Sequence, residues 1–272
     1  MVIKIATGNQ KGGIGKTIVN CLFAEHLAEK GYRVLMIDFD PQAHATNVFD
    51  YKYEFKDRIE KDMYSGFENL NDAVINVKEN LDIIAGSGDI KNLEKRSHTK
   101  SQRKALSMLK DALTTIEDNY DFIIFDTPPT ASGFYVQNAL FASDYFITLT
   151  EVTRNSIDSM IAFYQEIEQM REDNNLNLEM LGILINRRIK DDAIYDELRE
   201  EYFFDNKEMY FENSISFQRR ISKYSDWGVY EYTKKNPKTL TNLDRYDKII
   251  HEELEKVVDE MIRRIKILQT EG

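Results

Sequence analysis

Short runs of apolar, often β-branched residues alternate along this chain with longer segments whose apolar positions recur every three to four residues. The short runs predict strands and the longer segments predict helices. The predicted strands are Ile3–Thr7, Val34–Asp38, Leu81–Ala85, Phe122–Asp126, Tyr145–Leu149 and Leu181–Ile185, with a weaker candidate at Tyr210–Ile215. The predicted helices are Lys16–Lys30, Lys100–Ile116, Ser156–Arg171, Asp192–Glu201 and Tyr246–Leu268. The polar and charged stretch Asp50–Asn80 has the weakest prediction.

The order of these elements predicts the fold class. Several strands are almost continuously apolar, as expected of parallel strands that are covered on both faces. Strand–helix alternation predicts an α/β fold with a doubly wound, mostly parallel sheet flanked by helices, whose ligand lies at the carboxyl ends of the strands. Gly31 stands where a helix-ending glycine is expected. We find no internal repeat or low-complexity linker, and we expect residues 1–272 to form a single domain.

Composition narrows the class of protein. Hydrophobic residues make up 42% of the 272 positions, enough for a full core, and no apolar run is long enough to predict a transmembrane helix. The chain begins with a strand-like run instead of a signal peptide. Its single cysteine, Cys21, excludes an intramolecular disulfide and a Cys-x-x-Cys metal site. These features predict a cytoplasmic protein in which Cys21 is a buried apolar side chain.

The net charge of −11 argues against a general nucleic-acid binder, but the charge is unevenly distributed. The first 180 residues carry a net charge of −9. The rest of the chain carries 17 Lys+Arg against 19 Asp+Glu. A surface that faces DNA is therefore expected in the C-terminal third.

A glycine-rich loop, Lys11–Thr17, lies between the first predicted strand and the first predicted helix. Its glycines allow backbone N–H groups to turn toward an anion, and the helix start adds free N–H groups and a positive dipole end. Lys16 is expected to reach the β- and γ-phosphates of a nucleotide, and Thr17 to bind Mg²⁺. The ordinary pattern G-x-x-x-x-G-K-S/T fails at Gln10, and a second lysine, Lys11, stands at the mouth of the loop. A loop that merely caps a helix is the alternative, which the full order of strand, loop, lysine, hydroxyl and helix disfavours.

Two further motifs place carboxylates at strand ends. Asp38 and Asp40, in the sequence D-F-D-P-Q, are spaced so that both side chains point the same way, and they can bind Mg²⁺ through water and orient an attacking water. Asp126 ends the apolar strand of F-I-I-F-D-T-P-P, a Walker B arrangement that meets Mg²⁺ directly or through water. Taken alone, the first motif would be a turn with solvated aspartates. After the glycine-rich loop, it predicts a metal site.

Together these motifs resemble the ParA/MinD family of P-loop ATPases, over nearly the whole chain. The pattern K-G-G-x-G-K-S/T is the deviant Walker A sequence of that family, and D-x-D-P-Q and D-T-P-P are its other motifs. The resemblance implies that Lys11 reaches across a nucleotide-sandwich dimer to the partner's phosphates. A cation supplied in this way is worth roughly 10³–10⁵ in rate in GTPases. The resemblance also implies that Asp40 positions the attacking water and that Asp38 supports the metal site.

The resemblance assigns a site to ATP and Mg²⁺. It implies that Asn186, at the end of the strand Leu181–Ile185, reads the adenine edge, because an amide can donate and accept together; an asparagine that caps a turn is the alternative. The catalytic residues are predicted to be Lys11, Lys16 and Asp40. The residues predicted to bind ATP are Lys11, Gly12, Gly13, Ile14, Gly15, Lys16, Thr17, Ile18, Asn186 and Arg187. The metal is predicted to be bound by Thr17, Asp38, Asp40 and Asp126.

Several positions depart from the family pattern. Ile18 replaces the second hydroxyl residue of the loop, so that only its backbone N–H is left to contact the α-phosphate. Ala43-His44 replaces Gly-Asn, and we interpret His44 as a loop or surface histidine. Thr148–Thr150, just before Glu151, replaces the usual P-V-Q.

The resemblance implies a DNA partition ATPase without an N-terminal helix-turn-helix domain. ATP binding forms a homodimer that binds double-stranded DNA without sequence preference, and a centromere-binding partner, ParB-like or a small ribbon-helix-helix protein, stimulates weak hydrolysis. The protein is expected in the cytoplasm, on the nucleoid and not on a membrane. The candidates for DNA binding are Arg219, Arg220 and Lys223, and additional ones are Arg187, Arg188, Lys234, Lys235 and Lys238. The alternative is that these basic residues form a solvent-exposed helix face that binds no DNA.

Two other functions stay open at this point. A MinD-like membrane-surface positioning ATPase is disfavoured by the D-P-Q motif and by the acidic first half of the last helix, whose apolar side we expect to pack on the core. A P-loop metabolic kinase or ligase would need an acceptor site that the sequence does not reveal. An iron–sulfur carrier is excluded by the single cysteine, Cys21.

Overall fold

A computed structural model describes residues 2–9, 11–130, 133–189, 207–217 and 240–271. The strands in these ranges are β1 (Ile3–Gly8), β2 (Val34–Asp38), β3 (Val74–Lys78), β4 (Leu81–Ile84), β5 (Phe122–Asp126), β6 (Tyr145–Thr150) and β7 (Glu179–Ile185). The helices are α1 (Lys16–Glu29), α2 (His44–Tyr53), α3 (Lys91–Ser97), α4 (Gln102–Leu106), α5 (Met108–Leu113), α6 (Phe134–Ala142), α7 (Arg154–Asn174) and α8 (Leu240–Glu271).

Within the described residues, the strands form one seven-stranded sheet in the order β3-β4-β2-β5-β1-β6-β7. All neighbouring pairs are parallel except β3 and β4. The predicted α/β class with a mostly parallel sheet is therefore confirmed, and six of the predicted strands differ from the observed ones by at most two residues at either end. Among the described strands only β3 is missing from the prediction, and it lies in the weakly predicted stretch Asp50–Asn80. The helices α2, α3 and α6 are missing from the prediction as well.

Helices cover both faces of the sheet because successive strand residues point in opposite directions. In β2, Val34 and Met36 face a core shared with α1, α2 and α8. Leu35 and Ile37 face the opposite core, which is shared with α3, α5, α6 and α7. Cys21 is buried in the first of these cores, as predicted.

Two predicted elements are wrong. The helix Lys100–Ile116 is divided at Ser107 into α4 and α5, and the Asn138 side chain lies at the break: its Nδ2 donates to the Ala105 carbonyl (3.0 Å) and its Oδ1 accepts from the Leu109 N–H (3.1 Å). Tyr210–Ile215 is not a strand, although isolated bridges join Tyr210 and Ser216 to the β7 region. The predicted helix Asp192–Glu201 lies outside the described residues. Gly31, with φ +89°, follows α1 in the left-handed conformation that its predicted role requires.

The C-terminal helix α8 packs on the domain core, as the sequence predicts. Val257, Val258, Met261 and Ile265 are buried in the same core as α1. Among the described helices, none combines the length and the apolar character that crossing a bilayer requires.

Candidate functional site

The predicted motifs meet at the carboxyl edge of the sheet, where β1, β2, β5 and β7 end. The register of the strands places Asp38 beside Asp126, and the loop after β1 lies across this edge. A cleft of about 290 Å³ opens there. It is lined by Gly13, Ile14, Gly15, Lys16, Thr17, Ile18, Asp40, His44, Val48, Thr127, Pro129 and Arg187.

The glycine-rich loop has the backbone conformation of an anion cradle. Gly13 (φ +79°) and Gly15 (φ +88°) both adopt the left-handed region that disfavours any other residue. Gly15 stands at the N-terminal end of α1, and no side chain caps that end, so the free N–H groups of the helix face the cleft. A Cβ atom on Gly15 would lie 2.8 Å from the Asn186 Nδ2, which leaves no room for a side chain.

Lys16 is buried at the cleft with only 6% of its surface exposed. Burial lowers the pKa of its ammonium group, and the nearby carboxylates of Asp126 and Asp40 oppose that shift. A cation that is stripped of most of its water in this way interacts strongly with a bound phosphate.

The carboxylate of Asp126 fits a magnesium ligand. Its Oδ1 accepts a hydrogen bond from Asn20 Nδ2 (2.8 Å), and the nearby Thr17 side chain favours the charged form of the carboxylate. Its Oδ2 is buried and, among the described residues, has no hydrogen-bond partner. Burial raises the pKa of this carboxyl group, as expected where a cation is the missing partner.

The side chains of Thr17 and Asp126 suit a metal ion that is coordinated by both the protein and a bound nucleotide. No group of three His, Cys, Asp or Glu side chains converges as a metal cage in the described part of the chain. Mg²⁺ commonly takes one or two protein ligands and completes its shell with phosphate oxygens and water. Thr17 and Asp126 are the residues that would bind it here, and Mg²⁺ would supply charge neutralisation of the phosphates.

Asp38 and Asp40 have different surroundings. Asp40 lines the cleft, and its Oδ1 accepts from the Gln42 N–H (2.9 Å). Asp38 is completely buried; its Oδ2 accepts from the Thr46 N–H and from Thr46 Oγ1, both at 2.7 Å, and its Oδ1 accepts from the Asp40 N–H (3.2 Å). Asp38 thus fixes the turn that carries Asp40, and its role at the metal stays a prediction.

His44 is exposed, as interpreted, but it is the first residue of α2 and not part of a loop. It lines the cleft, and its Nδ1 lies 3.6 Å from Asp40 Oδ2.

Asn186 braces the glycine-rich loop. It is completely buried, its Nδ2 donates to the Ile14 carbonyl (2.6 Å), and its Oδ1 accepts from the Arg187 N–H (2.9 Å). Both ends of the amide therefore have protein partners, and its reading of adenine stays a prediction. Arg187 has φ +57°, and its side chain lines the cleft and contacts Glu151.

The comparisons with known proteins agree with this geometry. A family model described as an AAA domain matches residues 2–180. The sporulation initiation inhibitor protein Soj of Bacillus subtilis is 31% identical over 185 residues, which cover 66% of this chain and 71% of Soj. The chromosome partitioning protein ParA of Myxococcus xanthus is 27% identical over 251 residues, which cover 89% of this chain and 86% of that protein. The chain belongs to the ParA/Soj family of AAA-domain ATPases.

The fold of a solved relative matches this ParA-family chain over almost its whole length. The crystal structure of a putative plasmid partition protein from Borrelia burgdorferi, bound to AMPPNP, superposes with a TM-score of 0.74. It is 24% identical and covers 97% of this chain and 100% of that one. This likeness shows that the two proteins share the ParA-type P-loop fold.

Sequence reasoning missed several residues that organise the site of this ParA-family protein. Asn20 binds Asp126, Thr46 binds Asp38, and Glu151 contacts Lys11 and Arg187. Asn20 had a usable signal, because it is a polar residue within the apolar run I-V-N-C-L-F-A of α1. The predicted DNA-binding residues Arg219, Arg220 and Lys223 lie outside the described residues.

Proposed function

We propose that this ParA-family chain is an ATP-dependent DNA partition ATPase. ATP and Mg²⁺ drive the formation of a sandwich dimer, and the dimer binds DNA without sequence preference. A centromere-binding partner stimulates an intrinsically weak hydrolysis, and ADP releases the dimer from the nucleoid. Residues 1–272 act as one ATPase domain in this cycle.

The observation that carries the proposal is the separation of the two loop lysines. Lys16 is buried in the cleft, where it meets the phosphates of its own nucleotide. Lys11 is not among the residues that line the cleft, and one third of its side chain is exposed. A partly exposed cation outside the cleft of its own subunit can serve a nucleotide that is bound by a second subunit.

The remaining roles follow from the positions of the side chains. Thr17 and Asp126 bind Mg²⁺, and Asp40, at the cleft wall, orients the attacking water. Lys16 and the partner's lysine stabilise the charge that develops on the transferred phosphoryl group, which is the main requirement of such a reaction. The AMPPNP bound by the Borrelia relative supports a nucleotide in the matching cleft.

The packing of α8 supports DNA over a membrane as the surface that the dimer uses. A membrane-binding helix must leave its apolar side free for the bilayer. In α8 this side is buried: Leu254, Val257, Val258 and Met261 have no exposed surface.

Binding to random-sequence duplex DNA, with ATP, with ADP and without nucleotide, tests the proposal. Wild type should bind in ATP only, with a salt slope of about −0.9 per phosphate contacted. The double variant Arg219→Ala/Arg220→Ala should lose this binding but keep ATP-dependent dimerisation. Arg103→Ala/Lys104→Ala, which removes the same charge from exposed positions of α4, is the matched control and should bind DNA like wild type. Dimers that form with ATP and bind no DNA would refute the partition function.

A further inference from the structure

Glu151 joins two cations, Lys11 and Arg187, of which Arg187 lines the cleft. Its Oε2 lies 3.0 Å from Lys11 Nζ, and its Oε1 accepts from an Arg187 guanidinium N–H at 2.9 Å. The carboxylate is 16% exposed, and the Lys11 and Arg187 side chains are 33% and 27% exposed. All three groups are therefore partly shielded from water, and a single carboxylate forms ion pairs with two cations.

Hydrogen bonds hold the backbone of Glu151 and the backbone of Lys11 in place. The Glu151 N–H donates to Ser156 Oγ (3.0 Å), so that the first turn of α7 orients the residue. The Lys11 N–H donates to Asn9 Oδ1 (2.7 Å), and Asn9 Nδ2 donates to the Leu149 carbonyl (2.6 Å). The loop that carries Lys11 and the strand that leads to Glu151 are thus connected, which favours the ion pair within one subunit.

We propose that Glu151 is a positioning residue that holds Lys11 and Arg187 on their own subunit until a bound triphosphate competes for them. The inference rests on the proposed function, in which Lys11 serves the partner's nucleotide. In the proposed dimer the Lys11 ammonium turns toward a phosphate of the partner's nucleotide, and the attraction of Glu151 opposes that movement. Glu151 therefore raises the nucleotide concentration at which dimers appear.

The ion pairs of Glu151 with Lys11 and Arg187 are weak enough for a bound triphosphate to break them. Partly exposed ion pairs are individually weak, and two of them together shift an equilibrium by roughly three- to tenfold. A triphosphate with several negative charges can displace one carboxylate from two cations at that cost. A completely buried pair would be far more costly to separate.

Sedimentation velocity with a non-hydrolysable ATP analogue and Mg²⁺ tests the inference. In Glu151→Gln, the analogue concentration that gives half-maximal dimer should fall roughly three- to tenfold below that of wild type. Glu151→Asp keeps the charge on a shorter side chain and should lie between the two. Asp158→Asn removes one exposed carboxylate from the next turn of α7 and should match wild type, which separates the specific contact from general electrostatics.

Amine labelling of Lys11 in nucleotide-free protein supplies the second readout, because a lysine released from a carboxylate reacts faster. Labelling of Lys11 should rise several-fold in Glu151→Gln, with no such rise in Asp158→Asn. An unchanged or higher half-maximal concentration in Glu151→Gln would overturn the inference, whatever the labelling shows. Failure of wild type itself to dimerise would instead refute the proposed function, and the restraint with it.

Discussion

Asn20 supports, from within α1, the side of the cleft that we propose binds the metal, and its replacement gives the sharpest test of the site. The side chain is completely buried and makes three hydrogen bonds. Its Nδ2 donates to Asp126 Oδ1 (2.8 Å) and to the Phe125 carbonyl (3.3 Å), and its Oδ1 accepts from Thr7 Oγ1 (2.8 Å). Asn20→Ala removes all three bonds and leaves the Asp126 carboxylate without its only amide donor among the described residues.

The expected cost follows from these contacts. The charge-assisted bond to Asp126 is worth about 1.5–3 kcal/mol and each neutral bond about 1 kcal/mol, with less for the long bond to Phe125. The free energy of unfolding should therefore fall by roughly 3 kcal/mol in Asn20→Ala. Because a support of this kind orients a metal ligand, Mg²⁺-dependent ATP hydrolysis should also fall by roughly 10- to 100-fold.

Asn138→Ala is the matched control. Asn138 is also completely buried and makes three hydrogen bonds, but all of them go to backbone groups of Ala105, Leu109 and Phe134, away from the cleft. Urea denaturation should show a comparable loss of stability in both variants, of roughly 2–3 kcal/mol or more. Hydrolysis, measured where both are fully folded, should fall only in Asn20→Ala. Equal activity of the two variants would refute the assignment of Asp126 to the metal.

Two further predictions concern stability. In Gly8→Ala the new Cβ atom would lie 1.9 Å from the Phe163 ring, so the urea midpoint should fall by an amount equal to roughly 1–3 kcal/mol, and an unchanged midpoint would contradict this packing. Burial lowers the pKa of His26, and His251, whose Nδ1 lies 3.0 Å from His26 Nε2, lowers it further. As the pH falls, the unfolded chain therefore takes up a proton at this histidine before the folded chain does. The stability contributed by neutral His26 is complete above about pH 6.5 and should decrease at lower pH. Urea denaturation between about pH 7.5 and 5.5 should show a weaker pH dependence in His26→Gln, and equal slopes would exclude His26 as the cause. The charged groups around the pair are Glu25, Glu29, Lys30, Lys248, Glu252 and Glu255.

The meeting of the glycine-rich loop and the carboxylate motifs at one edge of the sheet could be predicted because each motif is a short continuous segment at the end of a strand. Lys16 and Asp126 are far apart in the sequence, but a parallel sheet brings their strand ends to one edge. The supporting residues could not be predicted with the same rule. Thr46 and Glu151 act through single contacts with residues on other elements, and nothing in their local sequence indicates those partners.

Two of the differences from the prediction depend on tertiary contacts. The strand β3 is a half-exposed antiparallel edge in which only Ile75 is buried, so its sequence lacks a continuous apolar run. The division between α4 and α5 depends on the amide of Asn138, which lies on α6. The spacing of apolar residues in the segment 100–116 does not depend on that contact, so the sequence pattern alone predicts one continuous helix.

Acidic residues of α8 show why charge counts of a sequence give an incomplete account of a surface. Glu260 is 3% exposed and accepts hydrogen bonds from the N–H groups of Glu212 and Asn213 and from Arg264 Nε. Glu253 accepts from the N–H and the Oγ of Ser216. These carboxylates hold the segment 207–217 against α8, and this segment precedes the predicted DNA-binding residues in the sequence. Part of the negative charge of the chain is therefore paired within the protein instead of being exposed on its surface. A negative net charge is therefore compatible with a DNA-binding function, since what a phosphate backbone meets is the local field of exposed groups and not the sum over the chain.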